Sequence, residues 1–236
     1  MKRAARWFLT LLKLQAIQEL RHPVAFAFNL LSSALFLGLL AVTGKALGQD
    51  RSLAALLLGF MVMLSLQAPA RALEDPSASQ EEILLARWPL IGLLSGEALA
   101  RGIWMMGQLS LVFLLLALPL RLEFEELLAF WRWAPLAWWI GLGPGLFLAS
   151  ATLLFKRTGA LVNLLSLAVL GGAVIPIAAG KSVSVFPYLQ LVALVRGSAL
   201  NEPGIWFAAT LWVLAGAISL LLALRVAVHR GLLGVR

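Results

Sequence analysis

The longest strongly polar segment lies between residues 71 and 89, where acids precede a short apolar run. The acids are Glu74, Asp75, Glu81 and Glu82, and the apolar run is Ile83, Leu84 and Leu85. Pro76 and Ser77 favour the opening of a short helix, acids stabilise the early turns of a helix, and Pro89 ends it. Such a helix is suited to docking on a partner protein. The alternative interpretation is a solvated loop that reverses the chain.

Other residue types that support catalysis or ligand binding are scarce. The chain has no cysteine, which excludes thiol catalysis, disulfides and cysteine-bound metals. The two histidines, His22 and His229, are too distant in sequence to indicate a metal site, and we expect both to contact lipid headgroups. The sequence contains no Gly-x-x-x-x-Gly-Lys-Ser/Thr phosphate loop. We therefore expect no ATP hydrolysis, no cofactor and no metal in this chain.

Several polar residues interrupt apolar stretches. Gln67, Gln108 and Asn163 either line a path through the protein or hydrogen-bond between helices, and packing is the commoner outcome. Glu97 and Arg101 lie one helical turn apart. They form either an intramembrane ion pair or, as we expect, an interfacial pair whose charged groups reach water.

The fourth predicted span contains a stretch of small residues, Gly141, Gly143 and Gly145, with Pro144 between them. Glycine allows two helices to approach closely. The stretch is therefore expected to pack against another helix of the same chain, to form a dimer contact, or to act as a moving joint.

The rest of the sequence is mostly apolar, and this composition predicts the membrane helices that position these residues. Of the 236 residues, 61% are hydrophobic and 13% are charged, which is about half the charged fraction of an average soluble domain. A bilayer accommodates such a chain as helices of about 20 residues. The sequence predicts an all-α integral membrane protein with one transmembrane domain, 1–236, and an amphipathic interfacial helix at 1–22. The six predicted transmembrane helices are 24–43, 53–70, about 96–120, 134–155, 160–180 and 205–224.

The distribution of basic residues predicts the orientation. With six spans both termini lie on one side, and thirteen of the 19 Lys and Arg residues fall in segments on that side. We expect the protein to lie in the cell (inner) membrane. The positive-inside rule then places both termini on the cytoplasmic side and the loop 181–204 on the outer side. The net charge of +8 is explained by this topology and by contacts with membrane lipids, so no nucleic-acid partner is expected.

The order of these elements resembles that of ABC-2 type permeases, the membrane subunits of one class of ATP-binding-cassette exporters. In that family an acid, a small-residue turn, Glu, a Leu-Leu pair and Pro lie between the second and third spans. The residues that resemble this series are Glu74, Ser77, Ser79, Glu82, Leu84, Leu85 and Pro89. The helix at 1–22 resembles the connector helix of the family, and the loop around Pro187 resembles its outer re-entrant region.

The resemblance implies a permease subunit that exports a lipid, drug-like or other amphipathic substrate by alternating access, as a homodimer or a pseudo-dimer with a similar permease. A separate ABC ATPase would bind ATP and Mg²⁺ and dock on the coupling segment 71–89. The coupling residues would be Glu74, Glu81, Glu82, Ile83, Leu84, Leu85 and Pro89. Two alternatives stay open. The haem-exporter permease of cytochrome c maturation has a similar layout, and a non-ABC membrane scaffold or enzyme would need clustered acids, histidines or serines at one depth.

Overall fold

A computed structural model describes residues 9–13, 15–17, 20–46, 53–74, 90–120, 124–155, 158–174, 187–195 and 202–229. Throughout these ranges the chain is almost entirely helical, and they contain no β-strand. The helices with defined bounds are α1 (Pro23–Ala46), α2 (Leu53–Glu74), α3 (Leu90–Leu120), α4 (Phe124–Phe155), α5 (Gly159–Val174), α6 (Pro187–Val195) and α7 (Glu202–His229).

Local sequence explains where several helices begin. Pro23 and Pro187 are the first residues of α1 and α6, a position at which the missing N–H of proline costs nothing and its fixed φ suits a helix. The first turn of α4 contains Glu125 and Glu126, and that of α7 contains Glu202. Carboxylates at these positions stabilise a helix through the positive end of its dipole.

Five of the helices in the described part of the chain are long and apolar enough to cross a membrane. The candidate spans are Pro23–Thr43, Leu53–Arg71, Ala98–Ala117, Phe124–Phe155 and Glu202–Ala227, and Gly159–Leu170 is a shorter apolar stretch. A span of the hydrocarbon core needs about 20 apolar residues. The predicted all-α class is therefore confirmed for the described residues, and the apolar helices are compatible with a membrane protein. The sixth span stays a prediction because α5 has only 16 residues.

The fourth helix begins earlier than the sequence analysis predicted. It starts at Phe124 rather than at residue 134, so Glu125, Glu126 and Trp131 belong to the helix. Its two acids stabilise the first turn, and Leu127, Phe130 and Trp133 lie buried on one side. Residues 9–13, 15–17 and 20 are helical, but the amphipathic interfacial helix at 1–22 stays a prediction.

The helices pack around α2. In its apolar stretch 83% of the residues are buried, against 11% in α1 and 28% in α7. Helix α4 packs against α2 on one side and α7 on the other, while α5 and α3 flank α2 and α1 lies mainly against α3. Lipid chains are as apolar as leucine, so close packing and hydrogen bonds between helices, rather than expulsion of water, must hold this arrangement together in a bilayer.

Candidate functional site

The closest helix contact joins α2 to α4. A Cβ atom built on Gly141 would clash with the carbonyl oxygen of Val62 and lie 2.8 Å from Cβ of Ser65. A Cβ on Gly145, one turn further, would lie 2.8 Å from the carbonyl oxygen of Leu66. The Ser65 hydroxyl donates a hydrogen bond to the backbone carbonyl of Trp138. Only glycine permits this approach, because the neighbouring atoms belong largely to the α2 backbone.

Helix α7 crosses the opposite face of α4. Since successive residues of a helix are rotated by about 100°, Gly143 points away from Gly141 and Gly145. A Cβ on Gly143 would lie 2.8 Å from the backbone of Trp212, and one on Gly216 would lie 2.5 Å from the carbonyl oxygen of Gly143. The glycine-rich stretch of α4 therefore packs against two other helices of the same chain, which was one of the three outcomes expected from sequence.

Polar side chains add links between the same helices. Gln67 of α2 is buried and donates a hydrogen bond of 2.7 Å to the hydroxyl of Ser166 in α5. Trp139 of α4 donates one of 3.2 Å to the hydroxyl of Thr210 in α7. Hydrogen bonds of this kind contribute on the order of 0.6 kcal/mol each in a membrane protein. They specify which helix faces align more than they stabilise the fold.

Charged residues tie together the N-terminal ends of α2, α4 and α7. A carboxylate oxygen of Glu126 accepts a hydrogen bond of 3.2 Å from the backbone N–H of Ala54, one of the first N–H groups of α2, which have no partner within their own helix. Arg132 of α4 lies 3.6 Å from Glu202 of α7. Both partners are exposed, so this pair contributes little stability. These contacts place the starts of the three helices at one end of the molecule.

The opposite end of α4 is joined to α5 by two buried hydroxyls. The side chains of Thr152 and Thr158 lie 2.6 Å apart, and Thr152 also donates to the carbonyl oxygen of Leu148. This contact places the start of α5 beside the last turns of α4. Neither threonine was singled out from sequence, because a hydroxyl next to a turn has no distinctive spacing.

The three polar residues that the sequence analysis grouped differ in burial. Gln67 is buried in a helix contact, Gln108 of α3 is half-buried, and Asn163 of α5 is exposed. Arg101 is half-buried at the start of the third candidate span. Among the described residues no group of three or more His, Cys, Asp or Glu could hold a metal ion.

The predicted coupling residues lie mostly outside the described residues. Glu74 is the last residue of α2. The others fall in a range that the structure does not describe: Glu81, Glu82, Ile83, Leu84, Leu85 and Pro89. Their role as a docking surface stays a prediction.

Comparison with known proteins identifies no relative. No protein-family model, curated protein or solved structure matches the chain. Function is therefore argued from the residues and their arrangement alone.

Proposed function

We propose that the chain is the membrane-spanning permease subunit of an ABC-type exporter. It crosses the inner membrane six times, and both termini lie on the cytoplasmic side. It works as a homodimer or pseudo-dimer driven by a separate ATPase. The observation that carries the proposal is the segment 71–89, in which Glu81 and Glu82 precede Ile83, Leu84 and Leu85. Acids beside an apolar patch suit a docking surface, in which the patch supplies affinity and the charges supply specificity.

The position of this segment favours mechanical coupling. Its first four residues, 71–74, are the last residues of α2, which is the most buried of the candidate spans. Helix α2 is fixed to α4 at Gly141 and Gly145 and to α5 through Gln67. A displacement of the segment by a partner would therefore act on the centre of the helix bundle, where a two-state change in packing alters access to a path.

The direction of the helices supports six crossings. Helix α4 has 32 residues and is about 48 Å long, so Phe155 lies far from the end that holds Arg132. The pair Arg132–Glu202 nevertheless places the start of α7 near the start of α4. A crossing between Phe155 and Glu202 would account for this arrangement, and α5 is the described helix that follows Thr158 in that interval.

Copurification tests the proposal. The tagged chain is extracted from its native membrane in a mild detergent, and associated proteins and small molecules are identified by mass spectrometry. The proposal predicts an ATPase with a phosphate-binding loop in stoichiometric amount, together with an amphipathic substrate. Recovery of the chain alone or with unrelated proteins, under conditions that keep it folded, contradicts the proposal.

A further inference from the structure

Helix α3 contains an amide side chain without a hydrogen-bond partner in the described part of the chain. Gln108 is half-buried, and its amide makes no hydrogen bond there. The amide of Gln67, by contrast, is buried and bonded to Ser166. Lipid chains offer neither donors nor acceptors, so a bare amide in the hydrocarbon core of a bilayer is strongly disfavoured. If Gln108 lies at that depth, its partner must come from outside the helix bundle.

Two contacts between α1 and α3 show how these helices are aligned. The rings of Phe26 and Trp104 lie 6.1 Å apart, and a Cβ built on Gly38 would lie 3.1 Å from the side chain of Leu116. Trp104 lies 78 positions after Phe26, as Leu116 does after Gly38. The two helices therefore run in the same direction and keep one register over this length.

This alignment gives the depth of Gln108 in a bilayer. Gln108 lies at the height of Leu30 in α1, seven residues beyond Pro23, where the candidate span of α1 begins. It lies ten residues beyond Ala98, where the candidate span of α3 begins. At about 1.5 Å per residue, these separations are about 10 and 15 Å, in a hydrocarbon core about 30 Å thick. Water and lipid headgroups lie outside this core, so the partner of the amide must be a group embedded in the membrane.

The leucines that follow Gln108 form an exposed stripe on the same side of α3. Leu111 and Leu115 lie three and seven positions after Gln108, and their side chains are 45% and 54% exposed. A spacing of three and then four residues is that of the seam between two supercoiled helices. Leu114 is also 54% exposed, but it lies about 100° around the helix from Leu115 and therefore outside the stripe.

We infer that this stripe is the contact between two copies of the chain. In a dimer with its twofold axis along the membrane normal, both α3 helices run in the same direction and the two Gln108 side chains meet at one depth. Each amide donates and accepts, so the pair forms reciprocal hydrogen bonds, while Leu111 and Leu115 pack against their counterparts. A lipid chain covers the leucines but leaves the amide bare. The inference rests on the proposed function for membrane embedding and the homodimer, but the ATPase plays no part in it.

Cysteine cross-linking in native membranes tests the position of the seam, because the chain has no cysteine of its own. After oxidation, Leu115→Cys should give a disulfide-linked dimer with twice the monomer mass on a non-reducing gel. Leu114→Cys is the matched control, since the two leucines are adjacent and equally exposed, and it should stay largely monomeric. Equal cross-linking at the two positions, or cross-linking of Leu115→Cys only to a different protein, would overturn the inference.

The role of the amide is tested by the dissociation constant of the dimer, measured by energy transfer between terminally labelled chains in liposomes of increasing lipid content. We expect Gln108→Leu to raise this constant at least about fivefold, the factor expected for two reciprocal hydrogen bonds between membrane helices. Gln108→Asn keeps an amide and should weaken the dimer less.

The matched control for the amide is Asn163→Leu. It removes another amide that is exposed and makes no hydrogen bond within the described part of the chain, from α5 rather than α3, and it should leave the constant unchanged. A monomeric wild type, or equal constants for the wild type and Gln108→Leu, would contradict the inference. A dimer that responds as expected but brings no ATPase out of native membranes would overturn only the proposed function.

Discussion

The contact between α2 and α4 makes a quantitative prediction about Gly141. In Gly141→Ala the new methyl group would clash with the carbonyl oxygen of Val62 and lie 3.0 Å from the hydroxyl of Ser65. Neither helix can give way locally, because the obstacle is mainly backbone, and the hydroxyl is held by its hydrogen bond to Trp138. Overpacking of this kind costs about 1–3 kcal/mol. Relief of the poor helix propensity of glycine offsets at most about 1 kcal/mol.

Gly107→Ala is the matched control for this prediction. A Cβ at Gly107 of α3 meets nothing within 4 Å, so this substitution keeps the gain in propensity without the clash. Thermal unfolding in detergent, followed by loss of the monodisperse size-exclusion peak, should show Gly141→Ala several degrees below Gly107→Ala, since about 1 kcal/mol corresponds to roughly 2–4 °C for a chain of this size. Equal midpoints for the two variants would refute the close approach of α2 and α4.

Three further predictions follow from other parts of the molecule. Gln67→Leu removes the donor to Ser166 and should lower the free energy of unfolding by about 0.6 kcal/mol and by no more than about 1.7, measured by the same assay; an unchanged midpoint would argue against the bond. A cysteine at Ser52 or Ser184 should react with an impermeant thiol reagent added outside the cell, and one at Ser79 should not; the reverse pattern would overturn the orientation. The purified chain should hydrolyse no ATP above the background of a mock preparation, and robust turnover by a contaminant-free sample would refute a separate ATPase.

The sequence predicted where the helices lie better than it predicted which helices contact each other. Long apolar runs predict membrane helices from length and composition alone, and those features need no knowledge of neighbours. The start of α4 was missed: the predicted span began at residue 134, whereas Glu125 and Glu126 lie in the first turn of the helix, which acids stabilise. Charge alone does not distinguish a loop from the first turn of a helix.

Partners between helices depend on tertiary packing and could not be predicted. The spacing of Gly141, Gly143 and Gly145 fixes two opposite faces of α4, but no local pattern reveals that α2 lies on one and α7 on the other. Gln67 was recognised as a helix-contact or path residue, yet its partner Ser166 lies 99 residues away. Pairings of this separation follow from how the whole bundle packs.

The measurement that tests the central claim most directly is the association of the copurified ATPase with coupling-segment variants. Leu84→Ser/Leu85→Ser removes apolar side chains whose burial contributes roughly 1.5–3 kcal/mol each. The control Leu232→Ser/Leu233→Ser alters a Leu pair in the basic tail, after the sixth predicted span. We expect both variants to insert normally, the first to bind the ATPase at least about tenfold more weakly, and the second to bind it like the wild type. If the Leu84/Leu85 variant inserts normally and retains wild-type ATPase binding and transport, segment 71–89 is only a loop between two spans, and the chain is not the permease proposed here.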